Sequence, residues 1–247
     1  MVQTQQITKR FRDGAKEILA VDAVDFAAHP GEIHALLGVN GAGKTTLLRM
    51  FSTVIRPTSG TAALNGFDIL QEAAQVRSSI GFLSTSTALY GRLTGREMLA
   101  YFAGLYGFAG SESRDRVQSA LEQTQSHGFA DQLCDRMSTG QKQRISIARA
   151  IVHGPPVLLF DEPTAGLDIL AAQTVLEFLE SARSNGKTIV FSTHNMNEVE
   201  RLADRVTAIH QGRVRGSGTL AEIKAATGQE SAELAFLQLI SDPGSAA

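Results

Sequence analysis

Residues 38–45 read Gly-Val-Asn-Gly-Ala-Gly-Lys-Thr, which fits the pattern G-x-x-x-x-G-K-[ST]. An apolar run, HALL at 34–37, precedes it, and KTTLLRMFSTVI at 44–55 continues with apolar residues at helical spacing. A strand, a glycine turn and a helix in that order make a phosphate cradle. The glycines let the backbone wrap an anion with successive N–H groups pointing inward, and the helix N-terminus adds a favourable field. Gly38, Asn40, Gly41, Ala42, Gly43, Lys44, Thr45 and Thr46 are therefore candidate ligands of a nucleoside triphosphate. Lys44 reaches for the β and γ phosphates, and the Thr45 hydroxyl for Mg²⁺.

Around this loop, short β-branched and aliphatic runs alternate with helical patterns, which predicts an α/β domain with a largely parallel sheet. AVDAVDFAA and EIHALLG read as early strands, GTAALNG and SIGFLS as two more, and PPVLLF and KTIVFST as later ones. ILAAQTVLEFLESARSNG reads as a helix capped by Asp168 and ended by Gly186. RVTAIHQGRVRGSG reads as a hairpin turning at Gln211-Gly212. Between 86 and 154 the pattern turns entirely helical, a block of small-subdomain size. The expected layout is one domain over 1–247: a core of 1–85 and 155–218, a helical subdomain at 86–154, and a helical tail at 219–247.

VLLF at 157–160 ends in two acids, Asp161 and Glu162. Adjacent carboxylates are costly to hold together unless a cation or a reacting water occupies the gap. Asp161 is assigned to the metal shell and Glu162 to the attacking water. His194 closes KTIVFSTH at a neighbouring strand end, so it is set apart from His29, His34, His127, His153 and His210, which are read as structural.

The chain has 247 residues, 43% of them apolar and 19% charged, with 23 Lys plus Arg against 25 Asp plus Glu. That balance gives no electrostatic footprint for nucleic acid. A single cysteine, Cys134, allows no internal disulfide and suits a reducing compartment. No apolar stretch is long enough to span a bilayer, and MVQTQQITKRF lacks the apolar centre of a secretory signal. Any role at a membrane is expected to run through a partner.

MSTGQKQR at 137–144 stands ahead of ISIARAIVHG, with Ser138 and Gln141 spaced as a capping box. The phosphate loop, this capped helix, DEPTAGLD and His194, in this order, resemble the ATP-binding cassette (ABC) family over nearly the whole chain. The resemblance implies a RecA-like P-loop NTPase core with a mostly parallel sheet, an antiparallel β part and an all-helical ABC subdomain. It implies ATP and Mg²⁺ as cofactors, with Glu162, His194 and Lys44 catalytic and His194 on the γ-phosphate. Ser138, Gly140 and Gln141 would complete the ATP held by a second copy, and Ala165 to Asp168 would link the two sites of a head-to-tail homodimer. Phe11, 27 residues before Gly38, stands where the family stacks an aromatic on adenine; a core aromatic is the competing reading.

Two positions depart from the family pattern. Thr139 replaces the first signature glycine, and Thr85 stands where a magnesium-sensing glutamine is usual, so a bridging water and modest turnover are expected there. A groove lined by Leu89, Tyr90, Leu93, Glu97 and Tyr101 would receive a short helix of an integral-membrane permease, placing the chain on the cytoplasmic face of the membrane. Details such as GFLSTSTALYGRLT and FSTHNMNEVERLADR look like NatA-type sodium-efflux exporters. A drug, antibiotic or lipid exporter of the same build is the alternative, and a soluble non-transport cassette ATPase is the rival of another class.

Overall fold

Every residue of Ile33–Leu37, Val157–Asp161 and Thr188–Thr193 is buried. Such continuous burial marks strands covered on both faces, the habit of a parallel sheet between two layers. The structure, a computed structural model, describes residues 1–14, 16–84 and 88–241. In chain order the elements are β1 (Val2–Asp13), β2 (Lys16–Val24), β3 (Ala27–Ala28), β4 (Ile33–Leu37), α1 (Lys44–Phe51), β5 (Ser59–Leu64), β6 (Phe67–Asp68) and α2 (Ala73–Ser79). Then come β7 (Ile80–Leu83), α3 (Gly95–Leu105), α4 (Gly110–Gln123), α5 (Thr139–Ile151), β8 (Val157–Asp161) and α6 (Ile169–Ser184). The chain continues with β9 (Thr188–Thr193), α7 (Met196–Leu202), β10 (Arg205–His210), β11 (Arg213–Gly218), α8 (Leu220–Thr227) and α9 (Ala232–Ser241).

Two sheets result. One is six-stranded in the order β11-β10-β4-β9-β8-β7, parallel except for the β10–β11 hairpin. The other is antiparallel, with β2-β1-β5-β6 in line and β3 paired to β1. The pleat divides the core. Leu158, Phe160, Ile189 and Phe191 face one cluster with α3 to α7, while Val157, Leu159 and Val190 face another with α1 and the antiparallel sheet. Truncating Phe160, fully buried and 6.1 Å from the Phe178 ring, should cost about 3 to 5 kcal/mol. Cys134 is buried in the first cluster, and burial pushes its thiol up from the ordinary value.

Several elements differ from the sequence reading. The segment before residue 20 holds a long strand, β1, that the sequence reading passed over. Its TQQ and TKR runs carry polar side chains because one face meets solvent. Helix α1 ends at Phe51, not near Ile55: Thr53 turns to φ +60°, and the Val54 and Ile55 N–H groups both donate to the Arg49 carbonyl. The short helices α2 and α7 carry too few turns to show a period. Thr85 lies outside the described residues. Among the described residues no helix is long and apolar enough to cross a membrane.

His153, just beyond α5, stacks on Tyr106 with centroids 3.8 Å apart, and its Nε2–H donates to the Ile80 carbonyl at 3.0 Å. Its Nδ1 is buried without a partner, and burial holds the imidazole down at about 4. Below the unfolded value near 6.5 the unfolded chain takes a proton that the native state refuses until about 4. Stability is therefore lost as pH falls through that window, by about 2 kcal/mol after allowance for partial exposure. Urea titrations at pH 7 and pH 4.5 should show this increment shrinking in His153→Gln; an unchanged difference would exclude His153 as its source.

Candidate active site

The register of the parallel strands brings the sequence candidates to one edge. Leu37 pairs with Thr193, and Asp161 with Ser192, so the carboxyl ends of β4, β8 and β9 stand side by side. Ligands bind beyond such ends in open α/β sheets. The loop after β4 lies between neighbours that leave no room for a side chain at Gly38 or Gly43. A Cβ on Gly38 would lie 2.5 Å from the Ile209 carbonyl oxygen. One on Gly43, at φ +111°, would lie 2.5 Å from the Ala20 carbonyl oxygen. No side chain caps α1, so its first-turn N–H groups remain available to an anion. Asn40, Gly41, Ala42, Gly43, Lys44, Thr45, Thr46 and Glu162 line one pocket with Ala20.

Lys44 donates to the Gly38 carbonyl at 2.5 Å and the Val39 carbonyl at 3.3 Å, with Glu162 Oε1 3.6 Å away. Burial pulls its ammonium below the ordinary value, and the Glu162 carboxylate works against that shift. Glu162 Oε2 lies 3.1 Å from His194 Nδ1. The three residues assigned to catalysis thus meet at one carboxylate. Glu162 is also held at φ +46°, a left-handed conformation that costs about 1 kcal/mol or more in a residue other than glycine. Its N–H offsets this by donating to the Ser192 hydroxyl at 3.0 Å and to the Ser192 carbonyl at 3.2 Å.

Asp161 is buried, and its Oδ1 accepts from Thr45 at 3.0 Å and from Ser192 at 2.7 Å. Its Oδ2 is buried with no partner among the described residues. Ser192 was not singled out in the sequence. It donates to Asp161 and accepts from Glu162, but a serine inside FST carries no signal that distinguishes it from a strand residue.

The capped helix stands outside that pocket. Ser138 Oγ accepts from Gln141 N at 3.2 Å, and Gln141 Oε1 accepts from Ser138 N at 2.9 Å, a complete capping box. Gly140 is buried with Ala171 so near that a Cβ would meet that methyl at 2.7 Å. Asp168 caps α6 by accepting from Ala171 N at 2.9 Å. No hydrogen bond or ion pair among the described residues joins Ser138, Gly140, Gln141 or Asp168 to the loop at 38–46. Ile169 and Leu170, at the head of α6, are 87% and 79% exposed. Phe11 is 39% exposed on β1, paired with Ile18 of β2, with the Lys9 ammonium 5.1 Å from its ring centroid. That exposure argues against the core reading.

A glycine cradle at a helix N-terminus, a buried lysine, paired strand-end acids and a parallel sheet define a P-loop nucleoside triphosphatase. Residues 21–165 match the ABC transporter family profile. Over 221 residues the chain is 38% identical to the ABC transporter ATP-binding protein NatA of Bacillus subtilis, covering 89% of this chain and 90% of that one. It is 39% identical over 217 residues to the Nod factor export ATP-binding protein I of Burkholderia thailandensis, covering 88% and 70%. The dimeric, post-hydrolysis ATP-binding cassette MJ0796 with ADP and Pi superposes with a TM-score of 0.81 at 28% identity, covering 89% of this chain and 98% of that one. The chain belongs to the ABC transporter family and is an ATP-binding, ATP-hydrolysing transport ATPase.

Proposed function

We propose that the chain is the motor subunit of an exporter, working as a head-to-tail homodimer that closes on two ATP molecules and drives a separate integral-membrane permease. The observation that carries this is the separation of two half-sites in one chain. The loop at 38–46 and Glu162 hold a triphosphate, while the N-terminus of the capped α5, outside that pocket, suits an anionic ligand but shares no hydrogen bond or ion pair with the loop among the described residues. A second copy supplies that ligand. Ile169 and Leu170, exposed and just ahead of the Ala171 that packs on Gly140, suit burial between copies. In that assembly Ser138, Gly140 and Gln141 meet the γ-phosphate from the far side, and Asp168 lies at the crossing. Residues 86–154 would act as the helical subdomain between core segments 1–85 and 155–218, with 219–247 as a tail.

Within each site, Lys44 binds the β and γ phosphates, Glu162 orients the attacking water and accepts its proton, and His194 contacts the γ-phosphate. Phe11 would stack on adenine. Mg²⁺ fits the residues present: Thr45 and Asp161 would hold it, and the unpartnered Asp161 Oδ2 is the oxygen such an ion would satisfy. One carboxylate and one hydroxyl, completed by phosphate oxygens and waters, suit a small hard cation. When bound it neutralises charge on the β and γ phosphates.

Permease docking is assigned to the exposed aromatics of the helical block. Tyr90 and Tyr101 are exposed and meet edge to face at 6.2 Å, and Tyr101 leans on Phe102. Phe102 and Tyr106 line an adjoining cavity with Val54, Phe82 and Arg149. Leu89 and Leu93 pack inward, and Glu97 is taken by the Thr94 cap, so they serve that face less directly. The cargo we infer is Na⁺, on the likeness to NatA; the comparable identity to a Nod factor export protein favours an organic cargo as the second reading. Reconstitution with the cognate permease should show ATP-driven Na⁺ flux out of the cytoplasmic compartment. Flux of an organic cargo alone would replace the sodium reading, and full activity with no membrane partner would replace the transport reading.

A further inference from the structure

Glu198 lies in α7, four residues beyond His194, and is 7% exposed with no cationic partner among the described residues. Its neighbours in the helix, Val199 and Leu202, pack in the core. A residue needed only for packing there would be apolar, because a buried carboxylate is costly unless donors surround it. Three do. Glu198 accepts from Thr164 Oγ1 at 2.5 Å, Thr193 Oγ1 at 2.7 Å and Asn195 Nδ2 at 3.3 Å. The carboxyl oxygens accept, so both hydroxyls point at them. Thr193 Oγ1 then accepts from the Asn195 N–H at 3.0 Å. The two residues flanking His194 are thereby bound to one group.

The third donor belongs to the other strand-end loop. Thr164 follows Glu162 and Pro163, and the Ala165 N–H donates back to the Glu162 carbonyl at 3.1 Å. On its far side the same loop receives Gln143 Nε2 of α5 at the Pro163 carbonyl, 2.6 Å away. One buried carboxylate therefore staples the loop of His194 to the loop of Glu162, and Gln143 ties that loop in turn to the helix carrying the opposite half-site.

We infer that Glu198 is a positioning residue for ATP hydrolysis, holding the His194 imidazole against Glu162. The inference rests on the reading of His194 as a γ-phosphate contact. Loss of the staple should leave the nucleotide cradle largely intact, since among the described residues Glu198 makes no hydrogen bond or ion pair to 38–46 and the Gly38 N–H is held by the Thr193 main-chain carbonyl, and should impair the reaction itself. Misplacement of a reacting group by about 1 Å costs up to about a hundredfold in rate.

The test uses the full chain and measures steady-state ATP hydrolysis beside equilibrium ATP binding. Glu198→Ala should lower kcat by about ten- to a hundredfold, with KM and Kd for ATP within about threefold of wild type. Glu198→Gln and Thr193→Val, close in size to the originals, should give smaller losses in the same parameter. They also carry the test if the alanine variant fails to fold. Glu198→Ala combined with His194→Ala should be no slower than His194→Ala alone, because one acts through the other. Two results overturn the link alone: a severe His194→Ala defect beside Glu198 variants within about twofold of wild type, or a double variant whose losses multiply. A His194→Ala enzyme at the wild-type rate overturns both the link and the assignment of His194.

Discussion

Glu162→Gln should cut ATP turnover by about a thousandfold while leaving ATP affinity equal or tighter. The first half follows from the proposed role of Glu162 as the base that takes the water's proton, worth about 10² to 10⁴ in rate. The second half follows from the geometry. Glu162 Oε1 lies 3.6 Å from Lys44, so that carboxylate competes with phosphate for the lysine's charge. A neutral amide of the same size removes the competitor without opening a cavity. Trapped in the bound state, the variant should elute as a dimer in Mg-ATP and as a monomer in ADP on size exclusion. Turnover within tenfold of wild type would remove Glu162 from the chemistry. A monomer in saturating Mg-ATP, even beside its permease, would remove the two-copy site.

Gly43→Ala should abolish measurable nucleotide binding and destabilise the chain by about 3 kcal/mol or more, whereas Gly41→Ala should cost about 1 kcal/mol. Both glycines have positive φ, +111° and +79°, so both alanines carry conformational strain. They differ in surroundings. A methyl at Gly43 would sit 2.5 Å from the Ala20 carbonyl oxygen, so β2 must shift and the cradle opens. Nothing lies within 4 Å of the same atom at Gly41. Thermal unfolding and nucleotide titration of the pair separate strain from collision. Equal losses at both positions would mean that close packing of β2 on the loop does not matter.

Much of this site could be read before any coordinates, because it depends on contiguous residues. Gly38 to Thr45, the Ser138–Gln141 box and the Asp168 cap each encode local backbone geometry, and local geometry needs no knowledge of the rest of the chain. The convergence of Lys44, Glu162 and His194 was inferred from strand ends; the parallel register explains it. Ser192 and Glu198 were missed for the opposite reason. Their partners lie 31 and 34 residues away, at Asp161 and Thr164, and neither residue type is unusual where it stands. Strand β1 was missed because polar side chains on a half-solvated strand mask its period, and α7 because seven residues make barely two turns. Thr164, Thr193 and Asn195 are common residue types at strand ends and in loops and carry no sequence signal of a shared partner. Only packing shows that they converge on one acid.

Cys134, buried with its thiol raised by desolvation, makes the native chain nearly inert to maleimides. A cysteine installed at exposed Ser138 or Ile169 would then be the sole labelling point, with no native thiol to remove first. With no tryptophan in the chain, such a fluorophore would report without indole background. The proposed approach of two protomers on ATP could thus be followed by energy transfer on an otherwise natural sequence.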